Sequence, residues 1–398
     1  MNKHWFKRDD FTAFPYGCSN EGEGFYPGFC SNGDYDVYDY QSVGESKSPF
    51  GAQALVQGKF ATGAVGHQLT LGTSLFTRSD KSGDYVYDYA GSSNIYHNVI
   101  VPPAPGNPST GPVFERRSEN ERALFAQDIA TLSPQFKLHT GLRYVQVKRD
   151  EFISASLPKA HTDDGFVLPS VALVYSPNQD WNLYGALTHG LEHGGIAPIK
   201  TTFQNTALAP SRSKQIELGV KGAVNDDMTV SAALFQIRKG HEFTDASNTY
   251  VRAGDETHRG LELSAQGRAT ADLHYGLSLL ALHTEQQGTG QADFDGKRVT
   301  DVPNFKSSAW VEYSVPAVAG LKLNAAWQYS GEKAFDLQNT VMVPGYHLFD
   351  LGAAYATRVM GASTTLRFGV NNVFDKFYWR DVTPALGGYL LTLSLIHI

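Results

Sequence analysis

With 398 residues, 39 glycines, 20 tyrosines and 23 phenylalanines but only 18% charged residues, the chain has the composition of strands and turns. Its net charge of -7 excludes nucleic acid as the main partner, because phosphate binding wants a surplus of Lys and Arg. No run approaches the ~18 consecutive apolar residues of a membrane helix, a test that misses membrane strands, in which only every second residue must be apolar.

The opening residues Met1 to Asp10 carry no apolar stretch of the kind that directs secretion, so an export signal is expected outside this sequence. Cys18 and Cys30 flank a stretch rich in Gly, Asn, Ser and Tyr. A pair closing one such loop reads as a disulfide in an oxidising compartment, with two free thiols as the alternative. Two thiolates with no His beside them make only half a metal shell. The carboxylates between Asp34 and Asp39 lack the spacing and glycine of a calcium loop and read as solvated. Residues 1–50 are expected mostly as an extracellular loop, and 51–394 as barrel hairpins within a single domain, 1–398.

From there the chain alternates. Leu69, Leu71 and Leu75 face away from Gln68, Thr70 and Ser74. Ile216, Leu218 and Val220 oppose Gln215, Glu217 and Lys221, and Leu261, Leu263 and Ala265 oppose Glu262, Ser264 and Gln266. Leu321, Leu323, Ala325, Trp327 and Tyr329 oppose Lys322, Asn324, Gln328 and Ser330, while Leu366, Phe368 and Val370 oppose Thr365, Arg367 and Asn371. Each such strand has one apolar and one wettable face.

Connections alternate too. Short turns fall at 62–66, 133–135, 177–180, 223–227, 316–320 and 359–363, and long polar connections at 79–120, 149–164, 191–210, 286–303 and 332–344. Long loops at every second connection emerge on one side, the pattern of an outer-membrane barrel. About fourteen or fifteen antiparallel strands of roughly 10–12 residues follow, the length of a tilted membrane strand. Aromatics near strand ends, among them Tyr175, Trp181, Trp310, Tyr313 and Trp327, suit interfacial girdles.

Several segments resemble the C-terminal barrel of the TonB-dependent siderophore receptors. Leu208 to Lys221 resembles the family's Pro-Glu-x-Ser/Thr…Glu-x-Gly-x-Lys strand, departing at Ser211, where an acidic residue is usual. Gly254 to Gly267 resembles the strand that follows it, Val302-Pro-Asn-Phe305 and Val343 to Asp350 the starts of later strands, and Leu366 to Tyr378 the penultimate-strand signature. Their order and spacing over Arg122 to Tyr389 carry the likeness. The resemblance implies an all-β transmembrane barrel of about 22 strands, a ferric siderophore as ligand, the TonB-ExbB-ExbD system and outer-membrane lipid as partners, and a Gram-negative outer membrane as location. It leads us to expect a partial barrel, with the plug, the TonB box and about seven strands outside it. The abrupt run from Gly387 to Ile398 departs from the family's closing strand. Asn371 and Asp375 of the signature are read as structural.

No nucleophile and base pattern points to catalysis, and no enzyme is expected. His189-Gly-Leu-Glu-His193 has the letters of an inverted zinc-protease motif but not the helix that would put both histidines on one face, so no metal site is expected. No cofactor is expected on the chain itself. A bulky, often anionic chelate is best met by aromatics and arginines on converging loops. The candidates are Tyr85, Tyr87, Tyr89, Tyr96, Arg116, Arg117, His189, His193, Phe335 and Trp379. The alternatives are another cargo for the same kind of receptor (cobalamin, haem or a saccharide) and a passive porin-like barrel.

Overall fold

The computed structural model describes residues 2–4, 6–15, 17, 30–102, 104–152, 154–198, 201–204, 206–381 and 390–392. Among these, fourteen long strands run in an antiparallel meander: β1 (Phe50–Thr62), β2 (Val65–Ser82), β3 (Phe114–Thr131), β4 (Phe136–Phe152), β5 (Pro158–Tyr175), β6 (Trp181–Glu192) and β7 (Ser211–Asn225), followed by β8 (Met228–Thr244), β9 (Tyr250–Thr270), β10 (Leu273–Gln287), β11 (Phe305–Ser314), β12 (Leu321–Ser330), β13 (Tyr346–Val359) and β14 (Ala362–Val370). Each pairs with the next in chain order.

Turn chemistry fixes one rim. The β13–β14 hairpin turns on Met360 and Gly361, with φ of 51° and 82°. Two consecutive positive φ values match the right-handed twist of the flanking strands. Only Gly adopts such a φ freely.

The alternation read from sequence has a spatial counterpart. Gly185, Leu218, Leu234, Leu261 and Ala281 are successive cross-strand partners and therefore share one face. Tyr313, Leu323, Ala353 and Phe368 continue that face across β11 to β14. Most of these apolar side chains are exposed, Leu218 and Leu234 by about 60% (61% and 59%). A continuous exposed apolar face of this extent calls for a nonaqueous neighbour.

The opposite face is polar and partly covered by loops. Its small apolar core joins Ala123, Val145, Val147 and Leu168, with Phe166 and Leu191 against them.

Three expectations are corrected. Several strands reach 17–21 residues instead of 10–12. On β4 the apolar face carries Leu138, Leu142 and Tyr144 and then turns polar at Gln146, Lys148 and Asp150. The apolar part alone has membrane length, and the remainder extends past it. For the same reason the long connection expected at 149–164 is mostly strand. Lys148 bonds Asp163 at 2.7 Å, His161 lies 2.6 Å from Asp150, and only 153–157 intervene. Third, the first fifty residues, expected mostly as loop, contain the strands Phe6–Pro15 and Asp34–Lys47. They pair with each other, and the second pairs with Val86–Asn94 inside the expected 79–120 loop. This small sheet joins the wall through Ser46 and Lys47 against Lys81 and Asp80. Cys30 is buried beside it; Cys18, its expected partner, lies outside the described residues.

Candidate ligand site at the loop end of the wall

The sequence Phe114-Glu-Arg-Arg-Ser-Glu-Asn-Glu-Arg122 opens β3, so its charges alternate between the two faces of the sheet. Register then places Asp80, Arg117 and Glu151 in one cross-strand row, and Arg78, Glu119 and Arg149 in the next. Acid and base alternate in both directions. Arg117 donates twice to Glu151 Oε1, at 3.0 and 2.6 Å, and Arg78 donates through Nε and Nη2 to the two oxygens of Asp80. Hydrogen bonding to Asp80 pushes the Arg78 pKa up, against the effect of burial.

Around these rows lies a cavity of about 550 Å³. Its wall carries six basic side chains, Lys47, Arg78, Lys81, Arg116, Arg117 and Lys159, against four acidic ones, Glu45, Asp80, Asp84 and Glu151. The site is locally positive in a chain of net charge -7. Arg116 is held by the Gly83 carbonyl at 2.6 Å and Asp84 at 2.5 Å, with its guanidinium 4.0 Å from the Phe114 ring centre and 5.2 Å from that of Tyr85. The Tyr40 ring packs at a tilt against those of Tyr85 and Tyr87, with centroids 5.5 Å away in each case. Burial, foremost, pushes the Tyr40 phenol above its ordinary value, so it stays protonated and serves as an aromatic surface.

The connection between β6 and β7 folds over this polar face. Ala207 N donates to Glu151 Oε2 at 2.7 Å, and Arg149 donates to the carbonyls of His193 at 3.0 Å and Leu208 at 3.4 Å. Its other flank is held by Glu242, which accepts from Gly195 N at 2.7 Å and is paired to Arg252. Burial pushes the neighbouring Tyr250 phenol up to about 12. Farther along, Glu256 lies 2.9 Å from His241 Nδ1, 3.2 Å from His258 Nε2 and 3.4 Å from Lys239 Nζ. Burial opposes ionisation of Glu256, but these three partners outweigh it and hold the carboxyl well below the usual range.

Of the ten residues singled out from sequence, Tyr85, Tyr87, Arg116 and Arg117 come together at the cavity. His193 stands beside it, 3.6 Å from Glu119 and 3.8 Å from Glu121. Tyr89 sits farther out, edge-on to Tyr38, and Tyr96 is largely exposed at the following bend. His189 lies on β6 with Nδ1 3.3 Å from the Pro169 carbonyl, and no group of three metal-ligating side chains forms among the described residues. Phe335 is buried with Val343 and packed against Trp379, away from the cavity. Asn372 accepts from Lys376 N and donates to its carbonyl, so the Asn371 to Asp375 signature forms a turn.

Sequence reading missed Arg78, Asp80, Glu119, Arg149 and Glu151. The charge run on β3 was a visible signal, but only the register with β2 and β4 shows which charges meet.

A family profile described as TonB dependent receptor-like, beta-barrel, matches residues 2–373. The chain is 26% identical over 351 residues to the ferrichrome receptor FcuA of Yersinia enterocolitica, covering 84% of this chain and 45% of that protein. It is 23% identical over 390 residues to the ferrichrome outer membrane transporter/phage receptor of Escherichia coli K12, covering 94% of this chain and 51% of that protein. The chain therefore spans about half the length of the curated relatives it matches. Among solved structures, the siderophore receptor PiuA of Acinetobacter baumannii superposes with a TM-score of 0.77 at 17% identity, over 98% of this chain and 59% of that one. The ferric preacinetobactin receptor BauA of the same organism gives 0.75 at 23% identity, over 92% and 55%. At these identities the superpositions speak for the fold: an antiparallel barrel wall.

Proposed function

The chain belongs to the TonB-dependent receptor-like β-barrel family, and on that premise we propose that it is the barrel portion of an outer-membrane receptor that binds and imports a ferric siderophore. The observation that carries this reading is the positive, aromatic-lined cavity at the loop end of β2 to β4, where Tyr85, Tyr87, Arg116 and Arg117 converge. A ferric chelate is bulky, and its donor groups carry negative charge. Tyrosine faces supply contact area at little entropic cost, and arginines supply charge-assisted hydrogen bonds. Lys81, which has no anionic partner among the described residues, offers a further cation at the wall. Relatives named as ferrichrome and ferrioxamine B receptors support the cargo class. The exposed apolar face is then the lipid-facing surface, and import draws its energy from the TonB-ExbB-ExbD system. The chain itself performs no covalent chemistry on the cargo.

The test is titration of the full chain, refolded in neutral detergent, with ferric hydroxamate and ferric catecholate siderophores, reading tryptophan fluorescence. Cobalamin, haem and a disaccharide serve as controls. Saturable quenching by a ferric siderophore, weakened in Arg116→Ala, is expected. Binding of a control cargo instead, or of none, would overturn the assignment.

A further inference from the structure

We propose that the small sheet beside the cavity binds a calcium ion between Asp39 and Asp88, with the Pro105 carbonyl in the oxygen set. The inference stands whatever cargo the cavity takes.

The strands Asp34–Lys47 and Val86–Asn94 place Asp39 directly opposite Asp88. Gln41, two residues on, shares their face, while Tyr38, Tyr40, Tyr87 and Tyr89 take the other. The 104–110 segment packs on the carboxylate face. Gln41 Nε2 donates to the Pro105 carbonyl at 2.9 Å, and Asn107 N donates to Gln41 Oε1 at 2.7 Å. The carboxylates between Asp34 and Asp39 read as solvated from sequence, yet Asp39 and Gln41 are both fully buried.

Among the described residues, the side-chain partners of both carboxylates are amides alone. Gln41 Nε2 faces three oxygens, Asp39 Oδ2 at 3.2 Å, Asp88 Oδ2 at 3.3 Å and the Pro105 carbonyl, with only its two hydrogens to give. Asn107 Nδ2 donates to the two oxygens of Asp88, at 3.2 and 2.9 Å. Asp39 Oδ1 is left with no partner among the described residues. Neutral amides do not offset two charges held out of water, and buried charges persist when paired or bound to a metal. The chemistry of the set selects the ion. Every available ligand atom is oxygen, which suits a hard cation. Calcium takes about six to eight oxygens in flexible geometry. Two carboxylates, the Pro105 carbonyl, the Gln41 amide oxygen after that side chain rotates, and water supply them. Magnesium demands an octahedron and dehydrates reluctantly, so it suits this covered position less. With only two carboxylates, the affinity belongs with the weak extracellular sites, at about 0.1–1 mM. The ion ties the 104–110 segment to the sheet, and Thr110 at its end accepts from Asp84 N at 2.5 Å beside the cavity.

The test uses the full chain refolded in neutral detergent, melted in chelator, in calcium chloride and in magnesium chloride, each at about 10 mM. Calcium should raise the wild-type melting temperature by about 2 °C or more, and magnesium by clearly less. The sign of one substitution should reverse. In chelator the opposed charges repel, so Asp39→Asn melts above wild type; in calcium it lacks a ligand and melts at or below wild type. Terbium, a luminescent stand-in for calcium, should light up through the neighbouring tyrosines and be displaced by calcium. That signal should fall about tenfold in Asp39→Asn/Asp88→Asn and persist in Asp150→Asn/Asp163→Asn. No calcium response in wild type, an equal response in Asp39→Asn/Asp88→Asn, or an equal response to magnesium would overturn the site. Stabilisation of wild type by acidification to about pH 5 with no response to calcium would mean that the two carboxylates share a proton, and would overturn it too.

Discussion

Glu119 and Arg149 face each other directly across β3 and β4, both nearly buried, yet their closest charged atoms stay 3.8 Å apart. Arg149 spends its donors on the carbonyls of His193 and Leu208 instead, which ties the 193–210 connection to the wall. Arg149→Met should therefore cost about 3–5 kcal/mol, because it strands a buried carboxylate. It should also expose the connection to protease. The double variant Glu119→Gln/Arg149→Met should regain part of the thermal stability but not the protease resistance. Thermal melts and limited proteolysis of the refolded chain separate the two effects.

Adjacent arginines should behave differently. Arg116 is paired to the mostly exposed Asp84, a contact worth less than about 1 kcal/mol to folding. Arg117 is paired to the buried Glu151, which also anchors Ala207. Arg116→Ala should leave the melting temperature nearly unchanged and weaken ferric-siderophore binding about tenfold, near 1.4 kcal/mol. Arg117→Ala should cost on the order of 3 kcal/mol of stability. Titration and melting of both variants decide whether affinity and stability divide this way.

Glu256 makes stability depend on pH. Its folded pKa lies below the ordinary 4.5, so its contribution is complete above pH 4.5 and declines as pH falls toward the folded value. Below about pH 5 the melting-temperature gap between wild type and Glu256→Gln should narrow as pH falls toward the folded value. A gap that widened below about pH 5 would contradict the assignment.

Asp39 and Asp88 are direct cross-strand partners on the small sheet, joined through Gln41 Nε2 at 3.2 and 3.3 Å. Asp39 is fully buried, and its Oδ1 has no hydrogen-bond partner among the described residues. Opposed carboxylates repel. In chelator, Asp39→Asn keeps an acceptor for Gln41 and should stabilise the chain by up to about 1 kcal/mol, raising its melting temperature.

The proposed bridge between Cys18 and Cys30 is read by thiol counting. Denatured, unreduced chain should react with no thiol reagent, and reduced chain with two equivalents. Reduction should lower stability by about 2 kcal/mol, the scale for a short closed loop.

Much of the fold was legible because period-two alternation is a local property. Leu218 and Lys221, or Leu261 and Glu262, announce their faces without any knowledge of their neighbours. The penultimate-strand signature adds a turn, as the Asn372 to Lys376 bonds show. Strand ends were less legible. Glu115 to Asn120 and Arg149 to Asp164 are polar enough to read as loop, and their ladders form because charges pair across them. The candidate site was half legible: aromatics and arginines near a loop drew attention to Tyr85, Tyr87, Arg116 and Arg117. Phe335 looked equally suitable, but tertiary packing against Val343 and Trp379 buried it. Which charge meets which depends on register, and register is a relation between strands far apart in sequence.

The polar extension of the strands beyond their apolar portion has an electrostatic consequence. On β4 the apolar face ends near Tyr144, whereas Glu151 lines the cavity. Those seven residues, at ~3.3 Å each and the usual tilt, raise the cavity roughly 15 Å above the hydrocarbon boundary. At physiological ionic strength the Debye length is about 8 Å. In the outer-membrane receptor proposed above, an arriving anionic cargo would be shielded from the repulsion of the lipid headgroups and would respond to the local field of Lys81, Arg116 and their neighbours. The strand overhang would then work as a standoff that lets a negatively charged chain on a negatively charged surface attract an anion.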